Sequence, residues 1–164
     1  MTEHTGGRVG WSSTMPALVI APSKEITAML EAFIYDPGES QIRAWKSSIP
    51  MLQEKFEDVN HKEKDKFATL LEYELPREGG RRPDVIVLEN GSVIVLELKG
   101  RLDPTLVDID QVAAYARDLR HYHPECHNRM VIPVLVPTRK TGESDVVDGV
   151  KSCGPEHNGA RSGA

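Results

Sequence analysis

Three residues near the middle of the chain, Asp84, Glu97 and Lys99, have types and spacing suited to metal-assisted phosphoryl chemistry. Two apolar runs that contain them are separated by Asn90-Gly91, and Asn-Gly between such runs is the strongest short signal for a β-hairpin. If residues 90 and 91 form the turn, Asp84 falls directly opposite Glu97 on the neighbouring strand. Lys99 follows Glu97 by two residues and therefore points to the same face.

Two carboxylates held opposite each other in an apolar sheet repel, and a divalent cation would turn the repelling pair into a chelate. Oxygen ligands favour a hard ion, Mg²⁺ or Mn²⁺, over zinc. Such an ion activates water and stabilises charge on a phosphoryl group, and Lys99 would add a fixed positive charge beside it. The alternative is that Asp84 and Glu97 lie in solvent at strand ends, with Lys99 paired to one of them.

The elements that would position these residues begin with two helices. Ser23 can cap a helix with apolar residues at helical spacing, which ends at Asp36-Pro37-Gly38. A second helix is predicted from about Glu39, and Pro50 inside its apolar stripe predicts a kink or a break near Ser48.

A strand over residues 70–75 precedes the hairpin, and a helix over 108–122 and a strand over 130–136 follow it. Both hairpin strands are apolar on both faces, so helices should cover the sheet on each side. The prediction is an α/β fold with a mixed central sheet and the order helix, three strands, helix, strand.

The 164 residues suit one ordinary domain. We expect residues 1–22 to be a flexible lead, 23–140 to form the domain with a core at 39–138, and 141–164 to be a flexible tail. The two cysteines fit a cytoplasmic protein, and neither a membrane segment nor a phosphate-binding loop typical of NTPases is present in the sequence.

The charge pattern bears on the partner. A net charge of −5 argues against coating nucleic acid by bulk electrostatics. Residues 76–140, however, hold 10 Lys+Arg against 9 Asp+Glu, and arginine suits phosphate. The candidate nucleic-acid contacts are Arg77, Arg81, Arg82 and Arg101, whose alternative role is a solvated surface.

These residues resemble the signature of the PD-(D/E)XK nuclease superfamily. The likeness rests on Arg82-Pro83-Asp84, on Glu97-Leu98-Lys99 after a hairpin, and on the order of elements. Gln111 and Tyr115 resemble the Gln-x-x-x-Tyr motif of its RecB-like and lambda-exonuclease-like branches. Residues from about 11 to 138 are also similar to the nuclease-like N-terminal region of bacterial schlafen-type DNA/RNA helicases, which continue into an ATPase domain.

The resemblance implies a restriction-endonuclease-like core and a function for each site residue. Asp84, Glu97 and the backbone carbonyl of Leu98 would bind Mg²⁺ or Mn²⁺, and Lys99 would orient the attacking water or stabilise the transition state. Gln111 would contact the ligand shell of the metal or the DNA backbone, and Tyr115 would support Gln111. A further glutamate often joins such sites, and the candidates are Glu54, Glu72 and Glu74, with Glu74 slightly favoured.

Three functions remain open at the level of the sequence. The first is a metal-dependent nuclease that hydrolyses phosphodiester bonds in nucleic acid, with DNA ranked ahead of RNA as the expected substrate. The second is a catalytically inactive nucleic-acid-binding or regulatory module that serves a helicase-type ATPase, in the same chain in relatives or as a separate partner. The third is a domain that only stabilises or assembles a larger protein.

Overall fold

A single mixed β-sheet with helices on both faces forms the framework of the protein in the computed structural model. The structure describes residues 8–59, 62–76 and 78–139, and the backbone of 144–147 and 150–153. The helices are α1 Met15–Ile20, α2 Ser23–Phe33, α3 Glu39–Glu57 and α4 Leu106–Tyr122. The strands are β1 Val9–Thr14, β2 Ala68–Tyr73, β3 Val85–Glu89, β4 Ser92–Lys99, β5 Met130–Pro137, β6 Ser144–Val147 and β7 Val150–Cys153.

The strands lie in the order β1-β2-β3-β4-β5-β7-β6. The first four are antiparallel neighbours, and β5 joins β4 in parallel after the chain has crossed over through α4. The predicted α/β class and the order helix, three strands, helix, strand are confirmed. At this coarse level the arrangement agrees with a restriction-endonuclease-like core.

The Asn90-Gly91 turn sets the register that the sequence predicts. Glu89 pairs with Ser92 and Val85 pairs with Leu96. Gly91, the second residue of the turn, has a φ of +84°, a left-handed conformation that glycine adopts without a steric penalty.

Apolar side chains fill both faces of the sheet. Ile86 and Val95 face α4, where they are buried with Val112 and its neighbours. The opposite face of the same strands, including Val85 and Val87, is covered by α1, α2 and α3. The side chains of the hairpin therefore alternate between two buried layers, which agrees with their apolar character on both faces.

Helix α3 continues through Pro50, so the predicted break near Ser48 is wrong. Trp45 and Ile49 before the proline and Leu52 after it are buried in one apolar cluster. Pro50 itself is exposed. Burial of the stripe on both sides of the proline holds the two halves in one helix despite the lost backbone hydrogen bond.

The ends of two other elements also differ from the prediction. Pro22, not Ser23, occupies the N-cap position of α2, and the Ser23 carbonyl instead accepts a hydrogen bond from Thr27 Oγ1. The first predicted strand, 70–75, lies two residues earlier as β2, because its pairing with β1 and β3 begins at Ala68.

Regular structure extends beyond the predicted domain boundaries. Within residues 1–22, expected as a flexible lead, β1 forms a sheet edge against β2 and α1 follows it directly. Within 141–164, expected as a flexible tail, β7 pairs with β5 and β6 pairs with β7. Strands β1 and β6 lie at the two edges of the sheet, where backbone hydrogen bonds to a single neighbouring strand hold them without a requirement for apolar periodicity. None of the helices in the described ranges has the length and apolar character needed to cross a membrane.

Candidate active site

The carboxylates of Asp84 and Glu97 lie side by side where β3 begins and β4 ends. The backbone N–H of Asp84 donates to Glu97 Oε2 at 3.4 Å, and the backbone N–H of Leu98 donates to Asp84 Oδ2 at 2.7 Å. Glu97 is only 3% exposed, and Asp84 is half-buried. The structure thus brings together the two acids that the hairpin register places opposite each other, and neither lies freely in solvent.

Both acids pay an electrostatic cost for this position. Burial, followed by the charge of Glu97, raises the pKa of Asp84 well above its ordinary value. Burial also raises the pKa of Glu97, although the ammonium group of Lys99 opposes the rise. Burial is the main cause of both shifts, and the neighbouring carboxylates add to them, so a cation bound beside the two acids would favour their ionised forms.

Lys99 is held by acceptors on two elements. Its Nζ lies 3.1 Å from Glu97 Oε1 and donates to Gln111 Oε1 on α4 at 3.0 Å. Gln111 in turn donates through Nε2 to Tyr115 Oη at 2.9 Å. The predicted site residues on the sheet and on α4 therefore form one continuous chain of polar contacts.

Asp108 supports the same lysine from the first turn of α4. Its carboxylate lies 3.9 Å from Lys99 Nζ and 3.4 Å from Arg101 Nη1. The same side chain accepts hydrogen bonds from the backbone N–H and the hydroxyl of Thr105, which closes a capping box. Thr105 followed by Asp108 is a helix-start signal in the sequence, but its proximity to Lys99 depends on the fold.

Glu72 is the third acid of the site, where the sequence slightly favoured Glu74. It is 5% exposed, its backbone N–H donates to the Asp84 carbonyl at 3.1 Å, and its charge raises the pKa of both Asp84 and Glu97. Glu74 instead lies 3.7 Å from Arg8, and Glu54 is exposed on α3. The preference for Glu74 is therefore not supported by the geometry.

The backbone at Glu72 explains this difference. Glu72 has a φ of +52°, which breaks the alternation of side chains that would place Glu72 and Glu74 on one face. A left-handed residue other than glycine costs of the order of 1 kcal/mol, and such strain often accompanies functional sites. Gly10 on β1 leaves the space: a Cβ there would lie 2.5 Å from Leu30 Cδ2 and 3.3 Å from Glu72 Cβ.

Two donors hold the Glu72 carboxylate. Trp45 Nε1 on α3 donates to Oε1 at 2.9 Å, and Arg82 Nε donates to Oε2 at 3.2 Å. Trp45 is buried at 5% exposure, so it packs in the core and also contacts the site. An isolated tryptophan in a helical apolar stripe carries no sequence signal for this second function.

Three of the four arginines proposed to contact nucleic acid lie within the described residues, and each of the three has a carboxylate partner. Arg81 lies 3.0 Å from Asp118 and over the ring of Tyr115, Arg82 contacts Glu72, and Arg101 contacts Asp108. Arg77 lies outside the described residues. The structure therefore shows these side chains as members of ion pairs around the site, and not as an open cationic surface.

A cleft of about 210 Å³ reaches the acids from the α3 side of the sheet. Its lining includes Glu72 and Asp84 together with Gln41, Trp45 and Ser48 of α3. Leu98, Gly100 and Thr138 complete the lining near the end of the sheet. Glu72 and Asp84 thus border a space through which a small group can approach them.

The donors present fit a hard divalent cation in their chemistry. Asp84 and Glu97 supply carboxylate oxygens, and the Leu98 carbonyl shares the side of β4 on which its N–H contacts Asp84. Within the described ranges, no set of three or more His, Cys, Asp or Glu side chains is already arranged as a metal centre. The fit is therefore to two carboxylates and a carbonyl, with Glu72 engaged by other partners.

Comparisons of the chain with protein-family models, with curated proteins and with solved structures gave no match.

Proposed function

We propose that the protein is a metal-dependent phosphodiesterase that hydrolyses nucleic acid, with DNA preferred over RNA. One observation carries this proposal: the buried Glu97 carboxylate lies beside the half-buried Asp84 at a strand end, burial and the charge of Glu97 raise the pKa of Asp84, and Lys99 lies 3.1 Å from Glu97. A purely structural pair would gain stability from replacement by neutral residues, so the arrangement favours a function.

Asp84, Glu97 and the Leu98 carbonyl would hold Mg²⁺ or Mn²⁺. When bound, such an ion supplies an activated water near neutral pH and positive charge for a phosphoryl group. Lys99 would stabilise negative charge on the phosphate, and its bonds to Glu97 and Gln111 fix the position of its ammonium group. Tyr115 holds the Gln111 amide in the orientation that presents its oxygen to Lys99.

Cleavage of linear and circular DNA in Mg²⁺ or Mn²⁺ tests the proposal directly. Asp84→Asn and Lys99→Ala should each reduce the rate at least about 100-fold, the loss typical for one group that stabilises transition-state charge. The matched controls Asp65→Asn and Lys24→Ala change exposed residues far from the site along the chain and should keep the wild-type rate. Background activity in the wild type, equal to that of both site variants, would overturn the proposal.

The second candidate is a catalytically inactive nucleic-acid-binding module that serves a helicase-type ATPase. The observation in its favour is that the described residues contain no ready group of three metal-ligand side chains. Under this alternative, the wild type and Asp84→Asn would bind DNA equally and neither would cleave it. In either case, the buried free thiol of Cys126 fits the reducing conditions of the cytoplasm, where we place the protein.

A further inference from the structure

The Arg82–Glu72 ion pair lies between the two binding sites that the proposed function requires, one for a phosphate of the nucleic acid and one for the divalent cation. Arg82 belongs to the short run that leads into Asp84, and the intervening Pro83 is fully buried, which fixes the path of the backbone. The Arg82 side chain is 23% exposed, whereas that of Glu72 is 6% exposed. One partner of the pair therefore reaches the surface while the other faces the buried acids.

The charges at this end of the sheet are unevenly balanced. Glu72, Asp84 and Glu97 contribute three carboxylates, and the cations in direct contact with them are Arg82 and Lys99. A phosphate competes well for an arginine, because the planar guanidinium donates two parallel hydrogen bonds to it. If a phosphate took Arg82, Glu72 would keep only its hydrogen bond from Trp45 among these donors.

A buried carboxylate that loses its cation carries a large energetic penalty. A divalent cation beside Asp84 and Glu97 would supply the missing positive charge, because Glu72 neighbours Asp84: its backbone N–H donates to the Asp84 carbonyl at 3.1 Å, and both residues line the same cleft. Loss of Arg82 to a phosphate would thus strengthen the binding of the cation. By linkage, the cation would strengthen the binding of the phosphate by the same factor.

We propose that Arg82 exchanges Glu72 for a backbone phosphate of the substrate, so that nucleic acid and the divalent cation bind cooperatively. This inference rests on the proposed function and adds that binding of the substrate raises the affinity for the cation. In the absence of substrate, Arg82 occupies Glu72 and keeps the affinity for the cation low. Arg82 acts here as a positioning residue that responds to the substrate.

Calorimetric titration with Mn²⁺, alone and with a saturating phosphorothioate oligothymidylate, tests the exchange without requiring cleavage. The phosphorothioate backbone keeps its charge and resists hydrolysis. In the wild type, the oligonucleotide should tighten Mn²⁺ binding about tenfold, within the range of ordinary coupling between sites. Fluorescence anisotropy should show the same factor for the oligonucleotide when Mn²⁺ is added.

Two variants should each abolish the coupling, but they should change the affinity for the oligonucleotide in opposite directions. Arg82→Gln should bind Mn²⁺ alone about as tightly as the oligonucleotide-bound wild type, and should bind the oligonucleotide more weakly. Glu72→Gln, which keeps an acceptor for Trp45, should bind the oligonucleotide more tightly without metal. Arg43→Gln on α3 removes an exposed arginine paired with Glu39 and should retain the tenfold coupling.

The outcomes separate this inference from the proposed function. Independent binding of Mn²⁺ and oligonucleotide in the wild type, or unchanged coupling in both variants, would overturn the exchange and leave the nuclease proposal standing. Failure of the wild type to bind either ligand would overturn both. If circular dichroism shows that Arg82→Gln is unfolded, Glu72→Gln alone decides, since its expected gain in oligonucleotide affinity cannot arise from loss of structure.

Discussion

At the scale of single residues, Asp84 links chemistry to stability. Its pKa is raised in the folded protein by burial and by Glu97, so the folded state binds a proton at Asp84 more readily than the unfolded state does. The stability that this preference provides is fully present below the ordinary pKa of 3.8 and is lost as the pH rises through the raised folded value. Once the pH exceeds this raised value, ionisation of Asp84 therefore lowers the stability of the metal-free fold.

Asp84→Asn should accordingly stabilise the metal-free protein while it abolishes the proposed activity. We expect a melting temperature roughly 2–4 °C higher at pH 7, the shift that about 1 kcal/mol produces in a chain of this size. The gain should shrink as the pH falls towards 4. Thermal unfolding in EDTA across this pH range measures both effects, with Asp65→Asn as the control. A lower melting temperature for Asp84→Asn at pH 7 would contradict the expectation.

The pairing of Asp84 with Glu97 was predictable because a two-residue Asn-Gly turn fixes the register of a hairpin. The choice of Glu72 over Glu74 was not, because it depends on one left-handed residue and on the space beside Gly10. A single sequence contains the glycine, but it does not show that β1 and α2 meet at that glycine.

At the scale of elements, the start of α4 is coupled to the site. Thr105 Oγ1 accepts from the Asp108 N–H, and the Asp108 carboxylate accepts from Thr105 and lies close to Lys99 and Arg101. The Asp108 side chain therefore caps the start of α4 after the exposed loop and also lies beside two cations. Helix formation and the charge around Lys99 depend on one capping box.

Removal of this cap should destabilise the protein measurably. Thr105→Ala should lower the free energy of unfolding by about 1 kcal/mol, the usual cost of losing a side-chain cap. Thr105→Ser keeps the hydroxyl and should remain close to wild type. Chemical denaturation monitored by circular dichroism compares the two variants, and equal stabilities for serine and alanine would rule out a stabilising contribution from the cap.

The order of elements was predictable from apolar periodicity, because α3, β3, β4 and α4 each bury a continuous stripe. The strands β1, β6 and β7 were missed because they are short and carry several polar or small residues. In addition, β1 pairs with β2, which lies more than 50 residues later, and β6 joins the sheet only through β7. Pro50 led to the opposite error, a predicted helix break that is absent, because burial of apolar residues on both sides of the proline keeps α3 continuous.

At the scale of the whole molecule, net charge alone predicts little about the partner. The arginines that the sequence assigns to phosphate are paired with acids such as Asp118, 37 residues from Arg81. Such long-range pairs cannot be identified from composition. The relevant charge balance lies among the buried acids at one end of the sheet.

Binding of a cation at this end should stabilise the whole fold. If Mn²⁺ binds only the native state, a concentration 100 times its dissociation constant should stabilise the protein by about 2.7 kcal/mol. The melting temperature should rise on addition of Mn²⁺ and return on addition of EDTA. Glu97→Gln should show a much smaller rise, and an equal rise in that variant would place the binding elsewhere.

Strand β1 has a consequence for the behaviour of shortened chains. It caps the edge of β2, so a protein that begins at Ser23 would present the backbone of β2 to other molecules. Such an open edge invites strand addition between copies, and we expect the shortened protein to self-associate in size-exclusion chromatography where the full chain elutes as a smaller species. Because Gly10 is also lost, the truncation would remove the residue packed against Glu72, so the solubility of this protein and the shape of its acidic site depend on the same short segment.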